Sequence, residues 1–317
     1  MLITRLHTAD LPVEHRFAAW SDFTSFAHRG VVLDSSHRQN FVATVDAHDF
    51  GTMQVSRMAN PSTRVRRSAA MVRSVGSDMV LVSLVHTGSL IVERHGTEVT
   101  AGPGTVIVFD WARPMSVGNL ADCTSTILQL PISVLGPSRA QLESIMARPM
   151  TSTSGVGGLL AYAMGDLVRH GDTYQPAILH HLTSAVVDLL GTATRLAHGG
   201  RETPSRNTPR RARVYSYIEQ ALAEPGLTPA AIAAAQGLSL RQLNRILNED
   251  GTSVASYVRQ RRLDRCRQDL IDPARLHLSV AVIGGLWGFP DPATFGRAFR
   301  HAYGMPPGEY RRRFGRP

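Results

Sequence analysis

The chain has 317 residues, with 34 basic against 25 acidic side chains and only two cysteines, Cys123 and Cys266. That length leaves room for about two domains, each able to bury a core, and no apolar run of about 18 residues is present to span a membrane. One cysteine in each half excludes a disulfide framework and fits a reducing cytoplasm, where the protein is expected to work.

The amino terminus, MLITRLHTADLPVEHRF, lacks an apolar core followed by a small-residue cleavage site, so no secretory signal is expected. A helix comes first. Pro12 suits its opening turn, and Phe17, Trp20 and Phe23 recur at helical spacing. From about Phe41 the period changes to two. Met79–His86 reads as a buried strand, followed by Leu90–Arg94, Thr97–Thr100 and Thr105–Phe109. Gly88-Ser89, His95-Gly96 and Gly102-Pro103-Gly104 supply the turns between them. Short strands at this spacing predict a small antiparallel barrel or sandwich. An apolar interior with one or two polar anchors would hold a small molecule, with Arg73, His86 and Trp111 as candidate liners.

After Pro131 the pattern becomes helical, over Gly158–His170 and then Pro176–His198. On the second helix Leu182, Leu189 and Leu196 fall seven apart, with Ile178 and Ala185 on the same face. Packing onto the strands and a helical dimer seam both account for that stripe. Gly199–Pro209, with two glycines and two prolines among small and polar residues, reads as a linker.

All the excess positive charge lies from Arg206 onward. Arg206–Pro317 holds 18 arginines against nine acidic residues, whereas Met1–Ser205 balances 16 against 16. A basic module joined to a neutral one points to a polyanionic partner for the first. Every basic side chain is arginine, the one best able to fork onto phosphate or guanine.

The basic part repeats itself. Ile232-Ala-Ala-Ala-Gln-Gly-Leu238 matches Ile283-Gly-Gly-Leu-Trp-Gly-Phe289, and the paired glycines set a period of 51 (288 − 237). An apolar face follows each glycine: Leu240, Leu243, Ile246 and Leu247 in the first copy, Phe295, Ala298 and Phe299 in the second. This is a helix-turn-helix layout, with a helix ending at glycine and a second one capped by Ser239 or Asp291. Polar residues opposite the apolar stripe would enter the major groove of DNA. They are Arg241, Asn244 and Arg245 in the first copy, and Ala293, Thr294 and Arg297 in the second. Ser239 and Arg300 complete the candidate DNA surface, and Arg311, Arg312 and Arg313 are expected at phosphates or in solvent. A linking helix, Ser253–Leu270, would hold the copies together, turning Val254, Tyr257, Val258, Leu263, Cys266 and Leu270 inward.

At these residues the stretch Arg210–Arg313 resembles the tandem helix-turn-helix domain of the AraC/XylS family of transcription regulators. The resemblance is carried by Gly237-Leu-Ser-x-Arg-x-Leu-x-Arg245, Tyr257, Arg262-Leu263, Gly288-Phe-x-Asp-x-x-x-Phe-x-Arg-x-Phe299 and Tyr303-Gly-Met-Pro-Pro-Gly-Glu-Tyr-Arg311. It implies a seven-helix domain whose two recognition helices meet adjacent grooves near a promoter. Arg16-Phe-Ala-Ala-Trp20 and the Leu90–Phe109 strands are similar to the cupin-like effector domains of members associated with aromatic-compound catabolism. The sequence departs from the pattern at Gly284 and Gly285, each costing about 1 kcal/mol of helix propensity. Ala293 and Gly296 leave the second recognition helix short of polar reach, so the first motif is expected to do most base reading.

The expected fold is α+β: a cupin-like antiparallel β-barrel with flanking helices, then an all-α domain with two helix-turn-helix motifs. The expected divisions are a cupin-like effector domain at 1–175, a dimerisation helix at 176–198, a linker at 199–209 and the DNA-binding domain at 210–317. The expected function is a sequence-specific DNA-binding transcriptional regulator, an activator responding to a small effector, with aromatic compounds the first class to test. Its expected partners are promoter DNA, the effector, a second copy of the chain and RNA polymerase, with no membrane and no cofactor. The rival is a cupin-type metalloenzyme with a basic nucleic-acid tether, for which His86, Glu93 and His95 are the only nearby ligand types. No His-x-His, nucleophile elbow or phosphate loop supports it, so no enzyme activity is expected. A DNA-binding architectural protein with a vestigial front domain is the third possibility.

Overall fold

The computed structural model describes residues 2–28, 31–50, 53–75, 79–94, 96–135, 139–146, 148–197, 208–248, 252–272 and 275–314. The chain divides into two compact units, Met1–Thr203 and Pro204–Pro317.

In the first unit β1 (Leu2–His7) and α1 (Val13–His28) precede β2 (Val32–Asp34), β3 (Thr44–Asp49), β4 (Gln54–Asn60) and β5 (Thr63–Arg67). A short α2 (Ala69–Val75) leads to β6 (Met79–Thr87), β7 (Leu90–Arg94), β8 (Thr97–Ala101), β9 (Thr105–Asp110), β10 (Met115–Asn119) and β11 (Cys123–Pro131). Then come α3 (Arg139–Met146), β12 (Met150–Thr151), α4 (Gly155–His170) and α5 (Pro176–Ala197). Gly88 turns the β6–β7 hairpin at φ 72°, a conformation that a side chain rarely adopts.

The strands form two antiparallel sheets, ordered β1-β3-β4-β11-β6-β9-β12 and β2-β5-β10-β7-β8. The cupin-like barrel expected from the sequence is not what forms. Among the described residues neither sheet closes: β1 and β12 remain the edges of one, β2 and β8 the edges of the other. Closure needs an edge-to-edge pairing, and alternation within a strand says nothing about that. The inner faces are buried against each other instead. Leu81, Val85, Ile107 and Phe109 of the larger sheet share one core with Leu90, Val92 and Met115 of the smaller. Trp20 of α1 anchors a second core with Leu33, Phe41, Val45 and Met58.

β6 is buried along most of its length, as its continuous apolar run requires, because α4 covers the outer face of the larger sheet at β4, β9 and β11. α5 packs on α3 and α4 through Leu179, Val186, Leu190 and Ala193. The heptad stripe lies on a different face. Ile178 is 45% exposed and Leu196 64%, with Leu182 and Leu189 half-buried and Ala185 exposed.

Among the described residues the second unit has seven α-helices: α6 (Thr208–Ala221), α7 (Pro229–Ala235), α8 (Leu240–Asn248), α9 (Val254–Ile271), α10 (Val280–Leu286), α11 (Pro292–Tyr303) and α12 (Pro307–Phe314). Thr208 and Pro209, assigned to the linker by sequence, open α6, and the rest of the linker lies outside the described residues. All six residues expected to face inward on α9 are buried.

A buried ionic cluster joins α6, α9 and α11. Arg261 Nε donates to Glu219 Oε1 at 2.6 Å and Nη1 to Asp264 Oδ2 at 3.0 Å. Tyr257 donates to Glu219 at 2.9 Å, and Tyr303 to Asp264 at 2.7 Å. Burial opposes the charge on Arg261, but Glu219 and Asp264 outweigh it and hold the guanidinium protonated. Both cysteines are buried and free. Burial pushes the Cys123 thiol up to about 11 and raises Cys266 as well, so neither is a thiolate at neutral pH.

Candidate nucleic-acid interface

Each half of the repeat is built by the same backbone devices. Thr228 caps α7 by accepting from Ala231 N at 3.2 Å, and Ser279, 51 residues on (279 − 228), caps α10 by accepting from Val282 N at 3.2 Å. At the corners Gly237 and Gly288 have φ of 62° and 74°. Leu238 N donates to Ala233 O at 2.8 Å, and Phe289 N donates to Gly284 O at 3.1 Å. These are matching helix-ending bonds, which need a left-handed residue just before the donor. The sequence repeat therefore runs four residues further back (232 − 228) than the isoleucine–glycine motif shows on its own, to 237 − 228 = 9 residues before the corner.

Ser239 caps α8 in a reciprocal arrangement. Gln242 N donates to Ser239 Oγ at 3.2 Å, and Ser239 N donates to Gln242 Oε1 at 2.9 Å. This is a capping box, legible in the sequence as Ser-x-x-Gln. Leu243, Ile246 and Leu247 are buried on one side of α8, which leaves Arg241, Asn244 and Arg245 exposed on the other. An amphipathic helix permits no other outcome once its apolar stripe is packed.

Asp291 caps α11, accepting from Thr294 N at 2.7 Å and from Thr294 Oγ1 at 2.8 Å. Those bonds, backbone first, hold the Asp291 carboxyl below the usual carboxylate range. Thr294 Oγ1 also accepts from Arg297 Nη2 at 3.3 Å, so a chain of contacts aligns the arginine along the helix. Phe295 and Phe299 are buried, whereas Ala293, Arg297 and Arg300 are exposed and Thr294 is half-buried. Arg311, expected at phosphate or in solvent, instead donates to Leu278 O at 2.6 Å; Arg312 is exposed, and the Arg313 side chain lies outside the described residues.

Of the candidate effector liners, Trp111 and His86 lie on opposite faces of the larger sheet. Trp111 is buried in the core between the two sheets. His86, at a β-bulge between β6 and β11, turns to the other face, its Nε2 2.8 Å from Thr126 Oγ1. Arg73 stands in α2, but its side chain lies outside the described residues. Glu93 faces outward on β7, beside Arg64, Arg66, Glu98 and Ser116 in a groove of about 420 Å³, and His95 lies outside the described residues. Among the described residues no group of three or more His, Cys, Asp or Glu is placed to hold a metal ion.

Residues 20–194 match the family model of the AraC-binding-like domain, and residues 232–313 that of a helix-turn-helix domain. The chain is also 32% identical over 285 residues to the transcriptional activator NphR of Rhodococcus sp, covering 88% of this chain and 83% of that protein. The chain belongs to the AraC/XylS family of transcriptional regulators. Like other AraC/XylS members it is a sequence-specific DNA-binding regulator, with an N-terminal accessory domain and C-terminal helix-turn-helix motifs. A second relative, the transcriptional activator RhrA of Rhizobium meliloti (strain 1021), is 26% identical over 258 residues, covering 80% of this chain and 78% of its own. The fold is similar to that of the AraC-like transcriptional activator CuxR, with a TM-score of 0.55 at 21% identity over 90% of this chain and 99% of that one. Among the described residues no helix is long and apolar enough to cross a membrane.

Proposed function

We propose that this AraC/XylS regulator is an activator that reads promoter DNA with α8 and α11. The reading is carried by one observation: two hairpins with matching caps and glycine corners each present arginine on the exposed side of a helix whose other side is buried. Arg241, Asn244 and Arg245 take the base edges in one major groove, and Arg297 reaches into a second. Ser239, Ala293, Thr294 and Arg300 border those contacts, with the side chains of Ser239 and Thr294 held by caps.

The N-terminal unit takes a small effector, with Trp111, buried in the core that the two sheets share, the candidate liner on their inner side. Aromatic compounds are the first class to test, and a thermal shift of the full chain identifies a binder. Two copies associate through the stripe of Ile178, Leu182, Ala185, Leu189 and Leu196, because its face of α5 is left largely outside the core. Effector binding then favours one presentation of the DNA-binding units over another, and RNA polymerase is the further partner an activator needs. The test of the DNA reading is selection of bound fragments from genomic DNA by wild type and by Arg241→Ala/Arg245→Ala. Enrichment of a common motif by wild type alone supports it, and identical motifs from both proteins overturn it.

A further inference from the structure

Arg262 stands on α9, between the two motifs, and its guanidinium reaches three backbone carbonyls. Nε donates to Leu222 O at 2.9 Å, Nη2 to Glu224 O at 2.7 Å and Nη1 to Gly288 O at 3.2 Å. Leu222 and Glu224 follow the end of α6 and lead into the first motif, whereas Gly288 is the corner of the second. One side chain therefore ties the entry of one motif to the turn of the other.

The corner is shaped to admit it. A Cβ on Gly288 would lie 2.7 Å from Arg262 Cζ and 2.9 Å from both Nη atoms. Glycine at 288 thus answers two demands: a φ of 74° and an open approach for the guanidinium. Its counterpart Gly237 has the same left-handed backbone, but a Cβ there would meet nothing within 4 Å. The repeat is asymmetric at this point. The planar fork carries its donors on three separate nitrogens; the three N–H bonds of a lysine leave a single nitrogen and cannot span all three carbonyls.

We propose that Arg262 is a positioning residue for DNA recognition, fixing α11 relative to α8 and so setting the spacing between the two base clusters that the protein reads. The proposal rests on the reading that both helices enter major grooves. Successive grooves on one side of a duplex are about 34 Å apart, so a rigid link between the helices admits one spacing and a loose link admits several. Loss of the clamp leaves α11 held by Tyr303 on Asp264 and by its buried phenylalanines, so the second motif stays docked but less constrained.

The test uses the full chain and a pool of randomised duplexes of about 40 base pairs, roughly four helical turns. Wild type is expected to enrich two motifs at one spacing. Arg262→Gln should enrich the same two motifs over several adjacent spacings, the advantage of the best falling from about tenfold to below about twofold, with Arg262→Lys intermediate. A pool from Arg262→Gln with the single wild-type spacing overturns the proposal. Should Arg262→Gln not fold, Gly288→Ala decides with Gly237→Ala as its control, since both strain a left-handed corner and only the first displaces the guanidinium: spacing broadened by Gly288→Ala alone supports the clamp, and the same spacing in both variants overturns it. A wild-type pool with only one motif sinks the two-helix reading itself, and the clamp with it.

Discussion

Gly284 and Phe295 meet where no side chain on residue 284 would fit: a Cβ there would lie 2.8 Å from Phe295 Cδ1 and 2.9 Å from Cγ. Gly285, the next residue, has nothing within 4 Å of the same position. The pair therefore separates two effects that the sequence gives no means of distinguishing. Gly284→Ala should destabilise the second unit by about 1–3 kcal/mol through overpacking, despite its better helix propensity. Gly285→Ala should stabilise it by about 0.5–1 kcal/mol. Urea unfolding of both variants checks this, and equal effects of the same sign would remove the close-approach explanation.

Arg245→Ala should weaken specific DNA binding by about 1–3 kcal/mol and leave the salt dependence nearly unchanged, as expected for a base reader. Arg300→Ala, at the far end of α11, should weaken binding to all sequences alike and reduce the salt slope by about one. Titrations at several salt concentrations separate the two. Wild-type affinity that stays flat between low and physiological salt would contradict the phosphate contact assigned to Arg300.

The reciprocal bonds between Ser239 and Gln242 fix the start of α8. Ser239→Ala should cost about 1 kcal/mol, and the double change with Gln242→Ala should cost less than the two singles combined, because they share one cap. Additive losses in thermal unfolding would show that the box does not act as a unit.

Burial, and then Arg57, lowers the pKa of His86 below its ordinary 6.5. The folded protein thus prefers the neutral ring, whereas the unfolded chain takes up the proton near 6.5. Stability from this residue is present above that value and falls as the pH drops through and below it. The thermal midpoint of wild type should decline more than that of His86→Gln between pH 7.5 and 5.5, a window of about one unit either side of the unfolded value. Parallel curves would remove His86 as a source of acid sensitivity.

Leu196→Glu on the exposed stripe of α5 should shift the chain toward monomer in sedimentation velocity, while changing monomer stability by no more than about 0.5 kcal/mol. An unaltered oligomeric state would place any dimer contact elsewhere.

Much of the second unit was legible because its signals are local. Gly237 and Gly288 declare left-handed corners, Ser239 and Asp291 declare caps, and the stripe of Leu243, Ile246 and Leu247 declares which face of α8 stays outside. Each depends on the conformational preferences of a few neighbouring residues. The strands β6 to β9 and their turns were readable for the same reason.

Tertiary structure alone decided what depends on distant partners. Strand periodicity predicted sheets but not their closure, and pairing left two open sheets packed face to face. It also put His86 and Trp111 on opposite sides of one sheet, because a bulge and a hydrogen bond to Thr126 set the direction of the histidine. It chose Leu179, Val186 and Leu190 for the core of α5 rather than the leucine heptad. It brought Arg262 to the Gly288 carbonyl, 26 residues away in sequence. Local energetics fixes which segments are helices, strands and corners; only the mutual burial of those segments selects which faces meet.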